Sequence, residues 1–180
     1  MTQYSNSATS SPDEISAYVQ ALLEILGDRD PFEVLRETPD ALRVAVRGMT
    51  EAQLSAPEAP GKWSVRQVLA HLADSELVGA FRFRMALAHD APELPGYDQD
   101  AWARALRYEN AAIEDALGDF SRLRQSNLRL LTRTTPDERK RVIHHAERGD
   151  EPLAHLIKLY AGHDLVHRRQ VARIRARVAG

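Results

Sequence analysis

Bulky apolar side chains recur at three- and four-residue intervals through most of the chain, the period at which they line one face of an α-helix. Ile15, Tyr18, Val19, Leu22, Leu23 and Leu26 form such a stripe, which Gly27 can end. Pro31 to Arg36 predicts one or two helical turns, and Pro39 suits the first position of a second helix, capped by Thr38, that carries Leu42, Val46 and Met49 to an end near Gly48. Pro57, Pro60 and Gly61 mark a loop. After it, Ser64 and Gln67 have the spacing of a capping box for a long central helix from Val65 to about His89. That helix is apolar around most of its circumference (Val68, Leu72, Leu77, Val78, Phe81, Phe83), which predicts cover on several sides. Pro92 and Pro95-Gly96 break it. Asp98 can cap a short helix bearing Trp102 and Leu106, and a further helix spans about Asn110 to Leu131 with Ile113, Leu117, Phe120, Leu123, Leu128 and Leu131 inward. Thr135 and Glu138 repeat the capping-box spacing, and the last long helix runs from Glu151 to about Val178. No segment alternates with period two for long enough to predict a sheet. The pattern therefore predicts an all-α fold, a four-helix bundle with additional short helices, in which residues 12–180 form one domain behind a flexible tail of residues 1–11.

Composition narrows the chemistry. A length of 180 residues fits one core, and no uninterrupted apolar run reaches the length of about 18 residues that a membrane span requires. The start of the chain lacks the basic and apolar regions of a secretory signal, so the expected location is cytoplasmic. With no cysteine, the chain can form no disulfide and offer no thiolate, so any metal site must use His, Asp or Glu. A net charge of -2 gives no general reason to bind nucleic acid. Arginine outnumbers lysine 21 to 3, which together with abundant alanine points to a GC-rich bacterial source. The arginines crowd the last helix (Arg168, Arg169, Arg173, Arg175, Arg177) but scatter around its wheel and suit a helix C-terminus, so they do not mark a polyanion site.

Seven histidines invite a metal hypothesis, and spacing sorts them. His163 and His167 are four residues apart on the last helix, about 40 degrees around the wheel and one turn along it, near enough to share one cation. They lie on the stripe of Leu153, Leu156, Tyr160, Val171, Ile174 and Val178, so both rings face the bundle interior. Buried imidazoles need partners, and a divalent ion supplies one to each. Separately hydrogen-bonded core histidines would give the same spacing. A third ligand separates the two readings, and His71 on the central helix, beside Val68, Ser75 and Val78, is the candidate. His155 lies toward the edge of the apolar face, His89 ends its helix, and His144-His145 fall in a loop, where solvent exposure is expected. Asp74 and Asp164 stand close enough in sequence to His71 and His163 to orient them, although an aspartate on a helix is more often simply solvated. Tyr160 and Trp63 read as packing residues that can also line a pocket.

The stretch Gly61-Lys62-Trp63-Ser64-Val65-Arg66-Gln67-Val68-Leu69-Ala70-His71-Leu72-Ala73-Asp74, followed far downstream by Leu159-Tyr160-Ala161-Gly162-His163-Asp164-Leu165-Val166-His167, resembles the DinB/YfiT-like superfamily over about residues 31–176. The resemblance implies a divalent metal, nickel or zinc, held by His71, His163 and His167 within the bundle. It implies a metal-dependent enzyme that activates either water or a low-molecular-weight thiol, hence a hydrolase or a thiol S-transferase acting on a small-molecule substrate. Tyr97, Asp98, His145 and Tyr160 are its candidate substrate-binding residues. A bundle of this type often pairs as a homodimer, and neither nucleic acid nor membrane is an expected partner. The rival reading is a non-catalytic, metal-binding stress-response bundle. An open coordination position facing a polar pocket would favour the enzyme, and a closed apolar site would favour the rival.

Overall fold

The computed structural model describes residues 11–179, so the tail expected over residues 1–11 falls outside it except for Ser11, which caps the first helix. The elements are α1 (Pro12–Leu26), α2 (Pro31–Val46), α3 (Glu51–Ser55), α4 (Val65–Ala88), β1 (Glu93–Leu94), α5 (Gln99–Ala105), α6 (Ile113–Leu131), β2 (Val142–His145), β3 (Gly149–Pro152) and α7 (Leu153–Val178). Helices α2, α4, α6 and α7 form the bundle: α4 packs on α6, α6 on α2, α2 on α7, and α7 on α4, while α1 lies along α7. Two apolar clusters fill it. One joins Leu26, Val34, Phe83, Leu131, Ile157 and Tyr160, and the other joins Leu42, Val68, Leu72, Phe120, Val171 and Ile174.

The helix starts follow local chemistry. Ser64 and Gln67 make the expected capping box at α4, satisfying backbone donors that the helix cannot. Ser11 with Glu14, and Thr50 with Gln53, repeat the device at α1 and α3. Asp98 caps α5 by accepting from the backbone of Asp100 and Ala101. The helix expected to begin at Pro39 instead begins at Pro31 and runs through Pro39. Thr38, expected as a cap, donates its hydroxyl to the Val34 carbonyl at 2.8 Å. Burial of Val34, Leu35, Leu42 and Val46 on one face outweighs the hydrogen bond that Pro39 removes.

Three further expectations are corrected. A small sheet forms, in order β1-β2-β3, with β2 and β3 as a hairpin and β1 parallel to β2. Its strands are too short to show a period, and the pairing of Glu93 with His144 and Leu94 with His145 is a long-range event. His144 and His145 therefore lie on a strand, and His145 is buried. Central helix α4 is covered less completely than its apolar residues predict, with Leu77 and Phe81 exposed. Leu106 is also exposed, and Ala103 is the inward residue of α5.

Polar residues occupy the middle of the bundle. Arg124 of α6 is 1% exposed and holds the Asp164 carboxylate of α7 through two nitrogens, at 2.5 and 3.0 Å. The same guanidinium donates to Glu76 of α4 at 2.8 Å and to the Leu35 carbonyl of α2 at 2.9 Å. Asn127 donates to the other Glu76 oxygen at 2.8 Å. Burial opposes the charge of Arg124, and its two carboxylates more than offset that, holding it protonated; Asp164 is held above the usual carboxylate range by burial in spite of Arg124.

Close approach of α1 to α7 depends on Gly162. A Cβ added there would stand 2.2 Å from the Leu22 carbonyl oxygen, a backbone atom that can move only with the whole helix. Gly162→Ala should lower stability by about 1–3 kcal/mol through overpacking. Urea unfolding of the variant checks this, and an unchanged midpoint would show that α1 yields freely.

Candidate metal centre

α4 and α7 bring three histidines to one point. The imidazole Nε2 of His163 is 3.0 Å from that of His71 and 3.1 Å from that of His167. The three residues each offer a nitrogen within 4.8 Å of the other two, and they are the one such group of histidines and carboxylates among the described residues. Nitrogens about 2.0–2.1 Å from a common tetrahedral ion stand about 3.3–3.4 Å apart, close to the two short distances observed. His155 is half-buried and His89 exposed, both outside the group. The pair on α7 meets because four residues nearly complete one turn. His71 meets the pair because α4 packs beside α7.

Hydrogen bonding shows where the lone pairs point. Gln170 donates its amide nitrogen to Glu58 at 3.1 Å, so its amide oxygen is the atom 2.9 Å from Nδ1 of His167. Nδ1 therefore carries the proton, and Nε2 turns a lone pair to the centre. Glu58 is fixed in turn by Arg173, which donates to its other oxygen at 2.8 Å. A proton on Nε2 of His163 could serve only one of its two imidazole neighbours, whereas a cation serves all three. The donor set thus fits a divalent ion. Trp63 covers His71, with ring centroids 4.9 Å apart.

All three rings are uncharged at neutral pH. Burial lowers His71 and His163 well below the ordinary range, helped for both by His167, and burial pushes His167 down to about 4. These are the protonation states that metal ligands require.

A cavity of about 70 Å³ opens beside His163. Its walls are Ser75 and Arg82 of α4, Tyr97 and Gln99 from the segment before and into α5, Arg148 from the β2–β3 turn, Leu156 and Tyr160 of α7, and Tyr18 and Leu22 of α1. Burial raises the hydroxyl pKa of Tyr18, Tyr97 and Tyr160, so the three phenols stay protonated. Gly79 lets Tyr160 reach in, since a Cβ there would stand 2.6 Å from the Tyr160 ring.

Of the four residues singled out for substrate binding, Tyr97 and Tyr160 line this cavity. Asp98 serves as the cap of α5, and His145 sits behind the wall, where Arg82 approaches its Nε2 at 2.9 Å. Its Nδ1 faces the Glu147 backbone N–H at 3.2 Å, so an imidazolium would meet a donor at both nitrogens. Burial, reinforced by Arg148 and Arg82, pushes its pKa down to about 3. Asp164 is taken up by Arg124, and Asp74 accepts from the Tyr108 hydroxyl at 2.5 Å, so both brace helices rather than histidines. Sequence reasoning missed Gln170, Glu58, Arg82 and Arg148. The i, i+3 spacing from His167 was a signal for Gln170. Nothing local signals Glu58, which is 112 residues from its partner.

Comparison with known proteins follows the same lines. The family model described as the DinB superfamily matches residues 35–171, and the chain belongs to that superfamily. YfiT of Bacillus subtilis, provisionally named a metal-dependent hydrolase, is 31% identical over 148 residues, covering 82% of this chain and 83% of its own. A similarly named protein of Geobacillus thermodenitrificans is 33% identical over 144 residues, covering 79% and 81%. The solved structure of Bacillus subtilis YfiT, described as having an unusual four-helix bundle topology, superposes with a TM-score of 0.77 at 27% identity over 99% of this chain and 95% of that one. The all-α bundle expected from periodicity is the observed fold. No helix among the described residues is long and apolar enough to cross a membrane.

Four buried neutral histidines make stability depend on pH. His71, His163, His167 and His145 take up protons only after unfolding, because their folded pKa values lie below the unfolded value of about 6.5. In metal-free protein, stability should hold above about pH 6.5 and fall as pH drops toward 4, by about 1.4 kcal/mol per pH unit for each histidine that remains neutral. Urea titrations at pH 7.5 and 5.0 measure the difference. Equal stabilities would show that these rings are charged in the folded chain.

Proposed function

We propose that the protein is a metal-dependent hydrolase of small molecules, in which His71, His163 and His167 hold one zinc or nickel ion at the end of the α4–α7 cavity. The observation that carries this reading is the convergence of three neutral imidazoles on one point beside a cavity lined by polar side chains. Three protein ligands leave coordination positions open, as catalytic sites do and closed structural sites do not. The names of the relatives support the same reading. A divalent ion bound there supplies Lewis acidity at neutral pH.

The chain's own groups do the rest. Gln170 and Glu58 hold His167 in one tautomer and one orientation, and Trp63 shields His71 from water. Tyr97 and Tyr160 present protonated hydroxyls to the cavity as donors for substrate oxygens, while Leu22 and Leu156 supply apolar wall. Arg148 is held in place by Glu151 through two bonds of 2.7 and 2.8 Å, so the turn that carries it is a rigid wall.

Replacing His167 by Ala should remove most bound metal and all metal-dependent activity while the bundle stays folded, because Leu156, Val171 and Ile174 still bury the α7 stripe. Elemental analysis of the purified variant and its circular dichroism melt test this together, and full metal occupancy would move the site elsewhere. Gln170→Ala should keep all three ligands and weaken metal binding about 10- to 100-fold. Competition with a chromophoric chelator reads that change, and wild-type affinity would remove Gln170 from the site. For the reaction, a panel of amides and esters run with and without chelator, and with and without added low-molecular-weight thiols, separates the chemistries. Chelator-sensitive hydrolysis without thiol is expected. Turnover only with thiol would make the protein a thiol S-transferase, and a fully loaded protein inert to the panel would favour a non-catalytic bundle.

A further inference from the structure

Arg82 carries a positive charge that the structure does not balance. It lies on the cavity wall, is 5% exposed, and has no carboxylate oxygen within 4.0 Å among the described residues. The other buried guanidiniums differ. Arg66 pairs with Glu51, Arg124 holds Glu76 and Asp164, and the half-buried Arg148 holds Glu151. The partners of Arg82 are neutral: the Pro95 carbonyl at 3.1 Å, the imidazole of His145 at 2.9 Å, and the hydroxyl of Tyr160. None of the described residues lining the cavity is a carboxylate. Burying an uncompensated charge costs several kcal/mol, so a position that retains one is matched to a counter-charge supplied from outside.

We propose that the cavity binds substrates bearing a carboxylate, with Arg82 as its anchor. The charge selects the ligand: one net guanidinium charge matches a monoanion, and the planar fork of N–H donors matches a carboxylate. Tyr97 and Tyr160 add hydroxyl donors beside it. Position along the helix separates this anchor from the histidines. Arg82 is eleven residues beyond His71, nearly the same direction on the α4 wheel and a rise of about 16 Å along the axis, part of which the long side chain can recover. The carboxylate is therefore an anchoring group some bonds removed from the group that reacts. His145, held neutral, lies against the guanidinium without cancelling its charge, and its one lone pair can accept from Arg82 or from the Glu147 backbone N–H but not from both. As a statement about substrates this rests on the hydrolase reading above, while binding of the carboxylate itself does not require the metal.

The test uses benzoate and its neutral isostere benzamide, titrated calorimetrically into the full chain at pH 7.5, first metal-free and then zinc-loaded. Benzoate should bind the metal-free protein at least 10-fold more tightly than benzamide. Arg82→Gln should lose at least 10-fold in benzoate affinity, leave benzamide affinity unchanged and bind zinc as the wild type does. The wild-type comparison stands even if that variant fails to fold. Equal affinities for the two probes, no binding of either, undiminished benzoate binding by folded Arg82→Gln, or tighter binding of phenyl phosphate would each overturn the proposal. Zinc titration separates the two readings. Failure to bind zinc with benzoate selectivity intact sinks the hydrolase reading alone, and zinc binding without selectivity sinks the carboxylate anchor alone.

Discussion

The bundle is organised around the charge on Arg124. One buried guanidinium from α6 reaches a carboxylate on α7, a carboxylate on α4 and a backbone carbonyl on α2, so all four bundle helices meet at one planar group. Removing a partner from such a pair leaves a charge without solvent or counter-ion, at a cost of about 3–5 kcal/mol. Rotation of any of these helices would break contacts of that kind, whereas apolar side chains repack with much less penalty. Because Asp164 directly follows His163 in the chain, the rotation of α7 that suits Arg124 also fixes where His163 points. Glu76 restrains α4, the helix of His71, in the same way. Packing energy holds the helices together, and the ionic centre sets the relative rotation at which three imidazoles meet.

Two kinds of buried charge occur in this protein. Around Arg124 the carboxylates are supplied by the chain, and the group is structural. Around Arg82 they are not, and the guanidinium opens on the cavity. The same contrast holds among the histidines. His145 faces N–H donors at both nitrogens, whereas the Nε2 atoms of His71 and His167 both face Nε2 of His163. What separates these groups is whether the partners of a buried polar group are present within the chain.

Several features were legible in the sequence because their causes are local. The 3.6-residue period of apolar side chains specifies helices whatever they pack on, and Ser64 with Gln67 starts α4 through contacts within one turn. The proximity of His163 and His167 follows from helix geometry alone. His71 is different: spacing marked it as inward-facing, and its meeting with the other two required the packing of α4 beside α7. Where expectations failed, a distant partner had outweighed a local preference. Pro39 is carried inside α2 because the face formed by Val34, Leu35 and Leu42 is buried, and His145 joins a strand because Leu94 pairs with it across the chain.

Sequence by itself thus determined the helices, their apolar faces and the three histidines best placed to converge, since each depends on residues within a turn or two of one another. Tertiary structure alone decided that Glu58 would orient Gln170 across 112 residues, that α1 would wall a cavity between α4 and α7, and that Arg124 would be neutralised while Arg82 would not. Electrostatic balance in a protein interior is set by which charges lie within a few ångströms through space. A chain order that separates Arg124 from Glu76 by 48 residues and from Asp164 by 40 carries no local trace of that balance.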